Sequence, residues 1–400
     1  MTSNQDTSPS SSSSSSSSSA MMTHLSQDQI FSILHLLPVE SILSFSMTCK
    51  KFRSLASSGS LWELICRRDW GPTSVDGFLS SLSPQERRMV SWKKLYKEIS
   101  EVGSLSCRRL VIKDGIFPTP RASHSLNFVS DCLVLFGGGC EGGRHLDDTW
   151  VAYVGGNQYR SILNWKKVNS GTPSGRFGQT CTVVGNTLIL FGGINDNGIR
   201  QNDTWVGNIT YDSTPEISIS WQLLENVGPM APPPRGAHAA CLTRDHRMVV
   251  ILNDLWVFDL GGDKPKWTEL KYDISSDITE MPRPRVGHSA SLILGGKILI
   301  YGGEDSQRQR KDDFWLLDVN NLLRVQSTSW KKASAKEIWK KLRVEDWNPG
   351  YRSFHGACTD KSGLCIYIFG GMVDGMLQPR EAYGLRFDGE LFIVELVIPM

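Results

Sequence analysis

Between residues 107 and 400 a small set of residues recurs, and that periodicity constrains the fold more than any other feature of the sequence. An arginine is followed three residues later by a histidine at Arg121/His124, Arg235/His238, Arg285/His288 and Arg352/His355, and Arg176/Gln179 is a fifth copy. An apolar strand then ends in a glycine pair at Gly137-Gly138, Gly192-Gly193, Gly302-Gly303 and Gly370-Gly371. Asp-x-Trp comes next, at Asp148/Trp150, Asp203/Trp205, Asp254/Trp256 and Asp313/Trp315, with Glu390-Leu391-Phe392 as a worn version. A further tryptophan opens a last strand at Trp165, Trp221, Trp267 and Trp330. The unit is four short strands over 50–67 residues. Periods near that length belong to propeller blades.

Five copies favour five blades, and a sixth would need a blade with no recognisable repeat. The third copy is short. From Arg235 to Asp254 is 19 residues, against 27, 27 and 28 in copies one, two and four, and Ile251-Leu252 stand where the glycine pair belongs. A truncated hairpin is expected there. A ring of sheets must close to remove its free edges. Cys107–Ile112 lies as far before Arg121 as Trp221 lies before Arg235, so it is expected to pair with the last blade as its fourth strand.

The N-terminal third is helical in pattern. Residues 1–22 carry an unbroken serine tract, Ser10 to Ser19, which cannot bury apolar surface and is expected to be disordered. Ser26 and Gln29 form a capping box ahead of Ile30, Ile33, Leu34 and Leu37, one apolar helical face. Pro38 closes that helix. Ile42, Leu43, Phe45, Met47 and Phe52 predict a second, and Ser60/Glu63 a capping box for a third. Residues 71–82 read as a loop. Ser83-Pro84-Gln85-Glu86 then opens a linker helix striped by Met89, Trp92, Tyr96 and Ile99, with Gly103 as its stop.

The string Leu25…Ile33-Leu34…Leu37-Pro38…Ile42-Leu43…Cys49-Lys50-Lys51-Phe52-Arg53…Leu61-Trp62 resembles the F-box pattern, although that family usually opens Leu-Pro and here Ser26 follows Leu25. The recurring unit resembles the kelch repeat. The chain is thus identified as resembling F-box/kelch-repeat proteins, with a fold of several domains. A serine-rich tail (1–22) precedes a small all-α F-box (23–70), a loop plus linker helix (71–104) and an all-β kelch propeller (105–400). The resemblance implies a substrate-recognition subunit of an SCF-type E3 ubiquitin ligase, common in plants. A Skp1-type adaptor would bind Leu25, Ile33, Leu34, Leu37, Pro38, Ile42, Leu43 and Phe52 and lead to cullin and RING subunits, while the propeller holds a protein substrate. The alternative is a kelch scaffold or sequestering protein without ligase activity.

Other chemistries find little support. With 43 basic and 41 acidic residues the chain lacks the basic excess of a nucleic-acid binder. No apolar run is long enough for a membrane span, and no secretory signal opens the chain. A soluble protein, cytoplasmic or nuclear, is expected. The nine cysteines include no C-x-x-C pair, and no phosphate-loop motif accompanies the glycines. Histidines distributed one per blade would lie too far apart to share a metal. No cofactor, metal or catalytic site is expected, and with 24 residues before Leu25 the flavin domain of light-sensing F-box/kelch proteins is not expected either.

Substrate is expected at the face carrying the loops after the glycine pairs and the loops leading into each Arg-x-x-His strand, since a rigid scaffold presents binding residues on loops. The fourth copy stands out. Its first loop carries Arg308, Arg310 and Lys311, and its expanded exit opens with Ser334-x-x-Glu337, which predicts a short helix bearing Trp339, Lys340 and Lys341. Together these six residues are expected to form a basic patch with an aromatic anchor, suited to an acidic or phosphorylated peptide.

Overall fold

The structure is a computed structural model. It describes residues 25–110, 115–154, 162–184, 187–211, 217–224, 236, 239–242, 247–251, 255–259, 266–269, 281–318, 338–375 and 384–398. The serine tract, Arg235, His238, Asp254, Trp330, Ser334 and Glu337 lie outside these residues. Two compact units emerge, one of residues up to Arg68 with Ser91–Tyr96, the other of Asp69–Val90 with Lys97 onward.

The first unit is helical. α1 (Gln27–Leu36) starts at Ser26, whose hydroxyl accepts from the Gln29 N–H while the Gln29 side chain accepts from the Ser26 N–H. The capping box is built as its residues predict. The single second helix expected over residues 42–52 is instead two, α2 (Val39–Ser46) and α3 (Lys50–Leu55), because Cys49 turns to extended backbone and its sulfur accepts from the Phe52 N–H. α4 (Gly59–Trp70) begins before Ser60, so that serine lies inside the first turn instead of capping it. Ile30, Leu34, Ile42, Ala56, Leu61, Trp62 and Ile65 are buried. The Trp62 indole donates to the Ala56 carbonyl at 2.8 Å, which satisfies its polar edge inside this small core.

Residues 71–82 are not a loop. α5 (Pro72–Ser81) follows Gly71, which takes φ +83°, with proline at its first position. Gly77 is there for space, since a Cβ would meet the Lys361 carbonyl oxygen at 1.9 Å. The expected linker helix is also two. α6 (Pro84–Met89) keeps the Ser83/Glu86 capping box, ends at extended Val90 and leaves Met89 exposed; α7 (Trp92–Glu101) follows.

From Ser104 the chain is strands. The first four-stranded sheet is β2 (Ser125–Val129), β3 (Cys132–Phe136), β4 (Thr149–Val154) and β5 (Ile162–Asn169), after β1 (Ser104–Leu110). β6 (Arg176–Phe177) pairs with β9 (Ile194–Asn195), beside the sheet of β7 (Thr180–Val184), β8 (Thr187–Phe191), β10 (Thr204–Tyr211) and β11 (Ile217–Leu223). The third sheet is β12 (Ala239–Leu242), β13 (Arg247–Ile251), β14 (Leu255–Asp259) and β15 (Lys266–Glu269). β16 (Val286–Leu292), β17 (Ile298–Glu304), β18 (Phe314–Leu317) and β19 (Trp339–Val344) follow. The last group is β20 (Arg352–Ser353), β21 (Gly356–Thr359), β22 (Cys365–Gly375) and β23 (Gly384–Leu396).

β1 pairs antiparallel with β23 from Leu105↔Leu396 to Leu110↔Leu391 and parallel with β19 at Ser104↔Arg343 and Leu105↔Val344. It is the fourth strand of the last group, as its position before Arg121 predicts. The first long strands of successive sheets lie side by side: β2 against β7 and β21, β12 against β7 and β16, β16 against β21. Apolar side chains fill the spaces between sheets, for example Leu126, Leu135 and Trp165 against Tyr367, Phe369 and Ile393.

The third hairpin is short, as expected. β13 and β14 pair through Ile251↔Leu255, whereas the equivalent pairs elsewhere are Phe136↔Thr149, Phe191↔Thr204 and Tyr301↔Phe314.

One tryptophan assignment changes. Trp165, Trp221 and Trp267 each face the residue two beyond the Asp-x-Trp tryptophan, namely Ala152, Gly207 and Phe258. In the fourth sheet that place, opposite Leu317, belongs to Trp339 and not to Trp330. The helix expected around Trp339 is therefore a strand. Ser334 and Glu337 lie outside the described residues; from Trp339 the segment pairs with β18 on one side and β1 on the other, and the burial of Trp339 and Leu342 with Lys340, Lys341 and Arg343 exposed follows from that packing.

Candidate functional site

Among the described residues each repeat arginine, Arg121, Arg176, Arg285 and Arg352, is buried and locks its own sheet. Arg121 reaches the Gly137 carbonyl at 3.1 Å and both carboxylate oxygens of Asp148 at 2.6 and 3.1 Å, and Asp148 also accepts from the Trp150 indole at 2.7 Å. Arg176 repeats this with Gly192, Asp203 and Trp205, and Arg285 with Gly302, Asp313 and Trp315. Bidentate pairing of this kind fixes geometry as well as charge. Burial raises the Asp148 and Asp313 carboxyls, but the hydrogen bond and charge of Arg121 and Arg285, aided by the indoles, outweigh it and hold both below the ordinary value.

The fifth copy departs from expectation. Strand register does put Phe392 opposite Ile368, as Trp150 stands opposite Leu135. Yet the carboxylate that Arg352 holds is Asp388, at 2.9 Å, and the Phe392 ring lies 4.4 Å under the guanidinium. Glu390 reaches outward to Arg109. The strand register shifts by one residue between Phe369 and Gly371, and the acid that Arg352 holds lies two residues upstream of Glu390.

The histidine slot staples neighbouring sheets. Gln179 donates to the Phe136 carbonyl of the preceding sheet at 3.0 Å. His124 stands edge-on to Phe369, His355 lies beside Tyr301, and His355 Nε2 is 2.9 Å from Ser289 Oγ. Burial, reinforced by the nearby arginines, lowers His124 to about 3 and His288 to about 4 and depresses His355 as well. All three are neutral at physiological pH. They line a cavity of about 140 Å³ with Gln179, Ser125 and Ser289. Among the described residues no cluster of three or more His, Cys, Asp or Glu is arranged to hold a metal ion.

Two residues beyond each described arginine the backbone is left-handed: Ser123 at φ +55°, Gly178 at +67°, Gly287 at +65° and Phe354 at +58°. This turn points the N–H of Gly178, Ser123 and Phe354 at the neighbouring sheet. Gly178 donates to Ser123 O at 2.8 Å, Ser123 to Phe354 O at 2.7 Å, and Phe354 to Gly287 O at 2.6 Å. Left-handed phenylalanine is strained, and such strain concentrates at functional positions.

Phe354 also walls a second cavity of about 270 Å³ that includes Cys140, His145, Phe177, Met372 and Phe387. Its lining comes from the loops after two glycine pairs and from three Arg-x-x-His strand starts. That is the face expected to hold substrate. It accommodates one bulky apolar side chain but is smaller than the roughly 300–1,000 Å³ typical of small-ligand pockets. None of its residues was anticipated; an aromatic one or two places beyond the arginine, as at Phe177 and Phe354, was the available signal.

The six residues expected to form a basic patch are not brought together. Arg310 is 7% exposed and engaged by Asp374, Glu304 and Ser353. Lys311 pairs with Asp305 at 2.6 Å. Trp339 is buried, Lys340 donates to the Glu101 carbonyl, and Lys341 lies 5.7 Å over the Trp315 ring. Arg308 alone is exposed at a loop tip.

In the helical unit, the eight residues expected to bind an adaptor divide. Leu34 and Ile42 are buried and hold α1 and α2 in the core, so they present nothing outward. Leu25, Leu37 and Phe52 are half-buried, Phe52 stacking on Phe45 at 4.2 Å. Ile33, Pro38 and Leu43 are exposed, together with two residues not expected to bind the adaptor, Leu36 at 80% and Met47 at 77%. Arg68 holds the end of α1 by donating to the carbonyls of His35 and Leu37.

Comparison with known proteins matches residues 27–68 to the F-box-like family and residues 101–278 and 251–378 to the KLHDC2/KLHL20/DRC7 Kelch-repeats domain. The chain is 46% identical to the F-box/kelch-repeat protein At1g51550 of Arabidopsis thaliana, over 94% of this chain and 92% of that protein. It is 26% identical to Adagio protein 3 of the same plant over 88% of this chain and 54% of that protein, so it spans about half of that relative's length. Host cell factor 1 of Homo sapiens is 28% identical over 66% of this chain and 12% of its own length.

Proposed function

We propose that this chain, which belongs to the F-box/kelch-repeat family, is the substrate-recognition subunit of an SCF-type E3 ubiquitin ligase. Its F-box binds a Skp1-type adaptor, through which cullin and RING subunits are reached, and its kelch repeats form a five-bladed propeller that holds the protein substrate. The observation that carries this reading is the apolar surface left open on the helices of the F-box match: Ile33, Leu36, Leu43 and Met47. Exposed side chains of this size favour a protein partner, each contributing at most about 1.5–3 kcal/mol when buried against one. The five repeats, the side-by-side inner strands and the pairing of β1 with β23 support the five-bladed ring. Substrate recognition is assigned to the face around Phe354, where an apolar cavity meets the loop tips.

The test is direct capture of a purified Skp1-type adaptor. Wild-type chain is expected to retain it, and Leu36→Asp with Met47→Asp is expected to abolish retention while the β-rich unit melts as in wild type. Failure of the wild-type chain to retain adaptor would sink the ligase reading.

A further inference from the structure

Three of the hairpins that follow a glycine pair share one backbone design. Gly143 N donates to Cys140 O, Gly198 N to Asn195 O, and Arg308 N to Asp305 O, at 3.2, 2.9 and 2.9 Å. In two of them the side chain at the turn's base braces the tip identically: Asn195 Oδ1 accepts from the N–H of Asn197 and Ile199, and Asp305 Oδ1 from Gln307 and Gln309. The donor residue in each is left-handed, at φ +74° for Gly143, +72° for Gly198 and +59° for Arg308. Glycine adopts that conformation without steric cost, and arginine does not. Arg308 therefore occupies a position where its two counterparts are glycine, and packing does not require it, because its side chain is exposed.

Charges on this face are unequally engaged. Asp196 pairs with His145, Glu304 and Asp374 with Arg310, and Asp305 with Lys311. Among the described residues Arg144, Arg200 and Arg308 on the same hairpins are exposed and make no ion pair; of the acids there Glu141, Asp147 and Asp312 make none either, and Glu304 and Asp374 share the one Arg310.

The Arg308 hairpin is continuous with the apolar cavity. It grows from Glu304 and Arg310, which bridge each other; Glu304 pairs with Val286; and the Phe354 ring covers the adjacent Gly287, leaving no room for a Cβ there. From Phe354 the surface continues to Phe177, Met372 and Phe387.

We infer that the substrate presents an acidic peptide segment, with a carboxylate taken by Arg308 and one bulky apolar side chain seated in the cavity of Phe177, Phe354, Met372 and Phe387. This rests on the substrate-receptor reading above. Arg308 is the specificity-determining residue: its cation selects the acidic segment, and its left-handed backbone is a cost retained for that role.

The experiment selects a library of random twelve-residue peptides, displayed on phage, against the full chain. Enrichment of Asp and Glu around a single Phe, Trp, Tyr, Leu or Met is expected. A synthetic copy of the dominant peptide should lose at least tenfold in affinity to the Arg308→Gly and Met372→Glu variants. Arg308→Gly should at the same time melt at a higher temperature than wild type, because glycine relaxes the turn. A purely structural arginine would give the reverse, a lower melting temperature with affinity intact, and that result overturns the inference. So does the absence of enrichment, enrichment of basic or wholly polar sequences, or an unchanged affinity in the Arg308→Gly variant. Adaptor capture by the same preparation separates the two readings. A chain that retains adaptor but selects no acidic peptide contradicts this inference alone, and one that selects acidic peptides but retains no adaptor contradicts the ligase reading alone.

Discussion

Asp148→Asn preserves the shape of its side chain while removing the charge that Arg121 faces inside the sheet. An arginine that is 0% exposed then loses its counter-ion, and breaking one side of a buried pair typically costs about 3–5 kcal/mol. Urea unfolding followed by tryptophan fluorescence should show a loss of that size for Asp148→Asn. The fifth copy supplies a sharper comparison. Asp388→Asn should be similarly costly, since Arg352 and Asp388 are both nearly fully buried, whereas Glu390→Gln touches a half-exposed pair with Arg109 and should cost less than about 1 kcal/mol. Equal effects at Asp388 and Glu390 would refute the assignment of the lock. Most of this chemistry was legible beforehand: the near-constant spacing of 27, 27 and 28 residues from arginine to aspartate marks a pair that must meet. Asp388 was not legible, because the spacing stretches to 36 in the fifth copy and Glu390 sits on the better-looking frame.

The inner strands carry a pH dependence with a definite sign. His124, His288 and His355 are held neutral in the folded chain, with their proton affinity far below the ordinary value of 6.5. The unfolded chain therefore binds more protons once pH falls below about 6.5, and stability declines from there toward about 4 for His288 and about 3 for His124. Each histidine contributes a slope on the order of 1 kcal/mol per pH unit inside that window. Gln179 shows that an uncharged amide can fill the slot. The triple variant His124→Gln, His288→Gln, His355→Gln is expected to flatten the stability profile between pH 6.5 and 4 while leaving the value at pH 8 little changed; an undiminished slope would rule these histidines out as its source. The same scale shows where sequence reasoning stops. Capping boxes at Ser26 and Ser83 were readable because their hydrogen bonds are local. α5 was not, because Gly71, Pro72 and Gly77 resemble loop residues until the Lys361 backbone shows why position 77 has no side chain. Trp339 was misplaced for a related reason: pairing with β18 and with distant β1 makes a strand of a segment that locally favours a helix. The apolar cavity draws its lining from three repeats, so no one repeat announces it.

At the scale of the whole β-rich unit, stability depends on a seam made by residues far apart in sequence. β1 is inserted between β19 and β23, and Leu105 is paired on both sides, with Val344 and with Leu396, while its side chain is fully buried. Without β1, both neighbours would present unpaired edges, the sheet feature most prone to aggregation. Loop closure over such a separation is entropically costly, so the seam forms only if its local contacts exceed that cost. Leu105→Asp places a charge where neither water nor a partner can reach it. The expected result is loss of the cooperative urea transition, or a shift of at least about 4 kcal/mol, accompanied by aggregation in light scattering. Arg109→Ala, four residues along the same strand, removes only a half-exposed ion pair with Glu390 and should stay within about 1 kcal/mol of wild type. The contrast tests closure itself. If β1 were merely draped over a ring already complete without it, both variants would unfold like wild type. A seam that bears the closure makes the first variant fail and spares the second, because the energy resides in the buried double pairing and not in the charges along the outer edge.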